Sequence, residues 1–151
     1  MSNFAILILS LIKGFYRFKL ELKDRTYQNQ NDLKGGSMTI KRFITEMGMG
    51  VDVHGSDYTK AAKRAVADAI RHSSLNFFRA LGKSPKDMEI IVKIGVAKPE
   101  KVNLALVSEE LPYGSVTVET CQGGLNVPSD ETSDEIVIAN AAIIVYLAQS
   151  D

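Results

Sequence analysis

The stretch Gly48-Met49-Gly50-Val51-Asp52-Val53-His54-Gly55-Ser56-Asp57 closes an apolar run and opens a helix, and the rest of the chain is organised around it. Before this junction, residues 39–49 are rich in Ile, Phe, Thr and Met and predict a first strand. Phe43, Thr45, Met47 and Met49 share one face of it, Ile44 and Glu46 the other. Gly48 and Gly50 are expected to interrupt that strand, as glycines do where a backbone bulges or takes unusual torsions. After the junction, Ser56-Asp57 offers an N-cap for a long helix over about 57–81. Ala62, Val66, Ala69 and Ser73 recur at helical spacing, and side chains this small let a helix lie close to whatever it covers. Gly82 supplies the stop and Pro85 prevents resumption.

Residues 88–96 read as a buried second strand, and Lys98-Pro99-Glu100 opens a second helix, to about 111, with Pro at the first helical position. Residues 115–120 alternate as a third strand, with Val116 and Val118 opposite Thr117 and Glu119. Gln122-Gly123-Gly124 turns the chain, and a polar loop over 129–134 precedes a long last strand from Glu135 to about Leu147. The order β-α-β-α-β-β predicts an α+β fold, a mixed sheet with helices on one face. The last strand is apolar on both sides, Ile136, Ile138, Ala142 and Ile144 on one and Val137, Ala139, Ala141 and Ile143 on the other. A sheet apolar on both faces with helices for only one predicts a homo-oligomer.

Composition is that of a globular domain: 45% hydrophobic and 24% charged residues in a chain of 151. The net charge of zero is unevenly spread. Residues 1–37 hold six Lys/Arg against three Asp/Glu, leaving twelve against fifteen for the remainder. That acidic remainder lacks the basic footprint of a nucleic-acid binder. The single cysteine, Cys121, excludes an intrachain disulfide and fits a reducing, cytoplasmic setting. The apolar run over 4–12 is well short of the roughly 20 residues that span a bilayer, and its basic residues follow it, unlike a secretory signal. No membrane association is expected. Residues 24–37 are polar and aperiodic and read as linker or disorder. Lys34-Gly35-Gly36 can be encoded by AAA-GGA-GGT, which contains a bacterial ribosome-binding sequence, just ahead of Met38, so 1–37 is expected to be a translated leader or a flexible tail, with the domain occupying 38–151.

The element order looks like that of the chorismate-mutase and reactive-imine-deaminase superfold, whose members commonly form trimers with small-molecule sites between subunits. The basis is topology alone. More locally, Gly48-x-Gly50-x-Asp52-x-His54-Gly55 resembles the GxGxDxHG signature of a small uncharacterised protein family of bacteria, cyanobacteria and plants, over a span from about Met38 to the end. The resemblance implies membership and no particular chemistry.

The junction supports three readings. In the first, backbone N–H groups at the helix start hold a small anionic or polar metabolite. Gly48, Gly50, Gly55 and Ser56 then line the site, His54 gives or takes a proton and Asp52 orients it. In the second, Asp52 and His54 are metal ligands with His72 or Glu46 as a third, although His72 lies about 20 Å along the helix from its start. In the third, the glycines serve a bulge, Asp52 caps a turn and His54 is bonded at an interface. Asn140 interrupts an apolar strand as a buried amide needing partners, a further ligand contact or a structural one. Cys121 lacks a neighbouring base, Glu109-Glu110 reads as an exposed helix face, and no phosphate-loop, dinucleotide or serine-nucleophile motif is present. The sequence names no cofactor and leaves enzyme, binding module and metalloprotein open.

Overall fold

The first strand does not stop at its glycines. In a computed structural model, which describes residues 38–73, 78–131 and 133–150, β1 (Met38–Asp52) runs through both. Its antiparallel pairing with the last strand continues from Gly48 opposite Ala141 to Asp52 opposite Val137, and its one register irregularity falls between Arg42 and Ile44. The glycines serve clearance rather than torsion. A Cβ on Gly48 would lie 2.3 Å from the Ala65 carbonyl oxygen, and one on Gly50 would lie 2.1 Å from that of Ala61. Helix α1 (Tyr58–Arg71) crosses directly over them, and its Ala61, Ala65 and Ala69 are fully buried. Small residues on both elements let the backbones meet. The expectations for residues 1–37 lie outside the described residues.

α1 begins at Asp57, whose side chain accepts from the Lys60 N–H at 2.9 Å. It ends ten residues earlier than the spacing predicts, and a separate turn, α2 (Phe78–Leu81), follows. His72 caps this end, its N–H bonding back to the Ala69 and Ile70 carbonyls, and Ser73 after it is a residue type that weakens a helix interior by offering its own hydroxyl to the backbone. The second helix is also divided, into a 3-10 turn at Pro99–Lys101 and a five-residue α3 (Leu104–Ser108). Asn103 causes this: its side chain accepts from the Leu106 N–H at 3.2 Å and restarts the helix as an N-cap.

β2 (Glu89–Val96) alternates in burial, with Ile90, Val92, Ile94 and Val96 inward. It pairs in parallel with β3 (Ser115–Gln122) and antiparallel with β5 (Glu135–Ser150). A strand the pattern did not predict, β4 (Leu125–Pro128), pairs with the first residues of β5. Four residues after a Gly-Gly turn, the last of them a proline, are too few to show a period. The sheet order is β1-β5-β2-β3, with β4 also on β5. This is the expected α+β fold with a mixed sheet.

One sheet face is packed beneath α1 and α3 and carries the core, in which Val137, Ala139, Ala141, Ile143, Val145 and Leu147 of β5 are buried. On the other face, the register sets Met49, Asn140, Gly95 and Cys121 in one cross-strand row and Met47, Ala142, Lys93 and Glu119 in the next. Met47 is 72% exposed and Met49 56%. Asn140 is exposed there as well, not buried as its apolar neighbours suggested, because no described helix covers this face. Among the described residues, no helix is long and apolar enough to cross a membrane.

Candidate functional site

The C-terminal end of β1, β4, the start of β5 and the turn after β2 converge on the N-terminus of α1. Asp52 is wholly buried. Its Oδ2 accepts from the Asp57 N–H at 3.0 Å, and its Oδ1 lies 2.7 Å from Lys60 Nζ and 3.6 Å from an Arg64 nitrogen. Burial alone would raise its carboxyl. The Lys60 ammonium, the Asp57 N–H and the Arg64 guanidinium together hold it below the ordinary range. Arg64 also donates to the Val51 carbonyl. Asp52 thus ties the strand end to the helix start and faces away from proton chemistry.

Beyond Asp52 the backbone turns sharply. Gly55 has φ +93° and Ser56 φ +49°, and serine in the left-handed region needs a restraint to hold it there. Asp134 supplies it from across the site: Oδ2 accepts from the Gly55 N–H at 2.8 Å and Oδ1 from the Ser56 hydroxyl at 2.7 Å. The Gly55 N–H, then the Ser56 hydroxyl and the Glu135 N–H, hold the Asp134 carboxyl below its usual range, with a smaller Coulombic pull from His54. His54 is exposed on this loop.

Glu135, the next residue, organises a second cluster. Its Oε1 accepts from the Tyr58 hydroxyl at 2.9 Å and from Lys98 Nζ at 2.8 Å. Asn126 Nδ2 donates to the Tyr58 oxygen. Lys98, with Asn126 and Tyr58, holds the Glu135 carboxyl down to about 2. Glu135, and secondarily Tyr58, hold the Lys98 ammonium above its ordinary value. The cluster is therefore a fixed set of charges, unsuited to exchanging protons near neutrality.

The residues singled out in the sequence are divided by this geometry. Gly55, Ser56 and His54 meet at Asp134. Gly48 and Gly50 lie under α1, which fills the space a ligand would need on that side. Asp52 is engaged by Lys60 and Arg64 instead of orienting His54. Asn140, in register with Met49, is on the opposite sheet face from Asn126, which pairs with Val137. His72 sits at the far end of α1 and pairs with Asp68 at 3.6 Å. Among the described residues, no three His, Cys, Asp or Glu side chains gather as a metal site. Sequence reasoning missed Tyr58, Lys98, Asn126, Asp134 and Glu135. The available signal was Asp134-Glu135, two carboxylates where a polar loop becomes an apolar strand.

A shallow open groove of about 690 Å³ lies beside this site between α1 and α3, lined by Thr59, Lys60, Lys63, Arg64, Asn103 and Leu106 among others. Its cations are already paired, Lys60 with Asp52 and Lys63 with Glu110 at 3.0 Å. It is a charge-balanced helix surface.

Residues 42–145 match the model of a family described as conserved hypothetical protein (Lin0512_fam), and the chain belongs to that family. It is also similar to a crystal structure of an FtsZ-like protein of unknown function from Nostoc punctiforme. The two share 40% identity over 75% of this chain and 100% of that one, with a TM-score of 0.67. No curated protein matches the chain.

Proposed function

We propose that this member of the conserved hypothetical family binds a small anionic or polar metabolite at the rim where the loop over 53–57 meets Asp134, as a homo-oligomer. One observation carries the reading. A serine and a glycine are held at positive φ by a carboxylate from the loop before β5, and beside them stands an exposed histidine. Backbone strain kept in place by a dedicated partner is characteristic of sites rather than of plain turns. Within the rim, Asp134 and Glu135 stay ionised and Lys98 stays protonated. Any proton transfer falls to imidazole, the side chain whose ordinary titration lies near neutrality, with Asp134 as its carboxylate neighbour. The GxGxDxHG stretch lies inside the matched span and is read as the family's marker.

The open sheet face supports self-association, since Met47, Met49, Leu125 and Val127 are exposed together with the half-buried Ile136 and Ile138. A chorismate-mutase-like trimer with sites between subunits is one form this takes. The lone cysteine accords with a cytoplasmic setting.

A thermal-shift screen of small anionic and polar metabolites tests the site, run on the native protein and on His54→Ala and Asp134→Asn. At least one compound is expected to stabilise the native protein and lose that effect in both variants. If every stabilising compound acts equally on all three proteins, the site is elsewhere. Native mass spectrometry tests the assembly: a monomer at micromolar concentration overturns it.

A further inference from the structure

The turn after β2 carries two lysines, of which only Lys98 forms an ion pair among the described residues. Lys98 and Lys101 place their ammonium groups 5.8 and 5.6 Å from the centre of one ring, that of Tyr58, within the roughly 6 Å at which an aromatic ring attracts a cation. Tyr58 is 1% exposed, and the ring offers only a weak counter-charge. Lys98 is neutralised by Glu135. Lys101 has no carboxylate partner among the described residues, and the adjacent Glu100 does not pair with it. Glu135 Oε1 already receives both the Tyr58 hydroxyl and Lys98. Of the two cations drawn to one ring, only Lys98 thus has a carboxylate.

Lys101 is also anchored from behind. Its N–H donates to the Lys98 carbonyl at 3.1 Å, closing the 3-10 turn. Its carbonyl accepts from the Thr59 hydroxyl at 3.4 Å, and the Asn103 N–H donates to that same Thr59 oxygen at 3.0 Å. The main chain of Lys101 is therefore pinned to the first turn of α1, while its side chain is exposed. A cation launched from a fixed backbone loses less freedom on binding than one on a mobile loop.

We propose that Lys101, with Lys98 beside it, anchors the oxyanion of a ligand, a carboxylate or a phosphate, at the surface above the buried Tyr58 ring. Glu135 is a positioning residue in this arrangement: it holds Lys98 in place and keeps it charged. The inference rests on the rim being a ligand site and states which charge the ligand carries.

Inorganic phosphate and propionate are the probes, titrated into the full chain at constant ionic strength made up with sodium chloride, with melting temperature as the readout. At least one probe is expected to stabilise the native protein, with apparent affinity about tenfold weaker in Lys101→Met and retained in Lys101→Arg. Methionine keeps the apolar stem over Tyr58 and removes only the charge. A response to phosphate alone assigns a phosphate-bearing ligand; a response to propionate as well assigns carboxylates. Equal stabilisation of native protein and Lys101→Met overturns the proposal, as does a native protein that responds to neither probe. His54→Ala separates this from the metabolite site. Phosphate or propionate binding that survives that substitution leaves the lysine anchor standing even if no metabolite depends on His54.

Discussion

Residues 48–52 run beneath α1 with Gly50 and Asp52 buried, whereas residues 53–56 turn outward with Val53 and His54 exposed. Both halves belong to one short glycine-rich stretch, and in sequence they look alike. In the first half, a glycine is required because a helix backbone occupies the place of its Cβ. In the second, Gly55 has nothing within 4 Å of where a Cβ would sit, and glycine is required only for φ +93°. The first half shows how the domain is closed, and the second shows what that closure presents to solvent.

The sharpest way to break this contrast is alanine at each glycine. Gly50→Ala is expected to cost at least about 3 kcal/mol, because the clashing atoms are helix backbone and cannot turn aside. Urea denaturation measures it, and a loss below about 1 kcal/mol would mean the helix has room to move. Asp52→Asn is expected to cost about 2 kcal/mol, less than a fully buried ion pair, since Lys60 and Arg64 are half exposed. Its pH dependence has a definite sign. The folded carboxyl lies below the unfolded value of about 3.9, so the stabilisation is complete above that pH and lost as pH falls beneath it. The gap between native protein and Asp52→Asn should narrow in acid.

Gly55→Ala should cost only about 1 kcal/mol, the torsional penalty of a left-handed non-glycine residue. A cost equal to that of Gly50→Ala would erase the distinction between the two halves. Glu135→Gln probes the rim by pH. Its carboxyl sits at about 2 against an ordinary 4.5, so native stability should decline as pH falls from about 4.5 towards 2. The variant should lack that part of the decline in acid-unfolding curves. His54→Ala should have the smallest effect, within about 0.5 kcal/mol, since the side chain is exposed. A larger loss of stability would make His54 a structural residue.

Much of the fold was legible because period and punctuation are local. The alternation of β2, the small-residue stripe of α1 and the two-sided apolar character of β5 survive in the structure with only their ends displaced. The displaced ends, at His72 and Asn103, follow from side chains that compete with or cap a helix, a local effect that a longer apolar period had masked. β4 was illegible because four residues carry no period, and its pairing with β5 is made across a turn.

The candidate site was half legible. His54, Gly55 and Ser56 are marked by composition alone, but their partner Asp134 is 78 residues from Ser56. Tyr58 and Glu135 are 77 residues apart, and nothing in either neighbourhood points to the other.

The sequence by itself determined the order of the longer strands and of the helical segments, that α1 can pack closely, and that the junction at Gly48 to Asp57 is unusual. Those properties depend on neighbours a few residues away. Only the tertiary structure decided that Gly48 and Gly50 make room for a helix, that Asp52 is neutralised by Lys60 and Arg64, and that Asp134 and Glu135 complete the rim. Clearance, charge pairing and hydrogen-bond distance depend on groups far apart in the chain, and those meet only once β5 has been laid between β1 and β2.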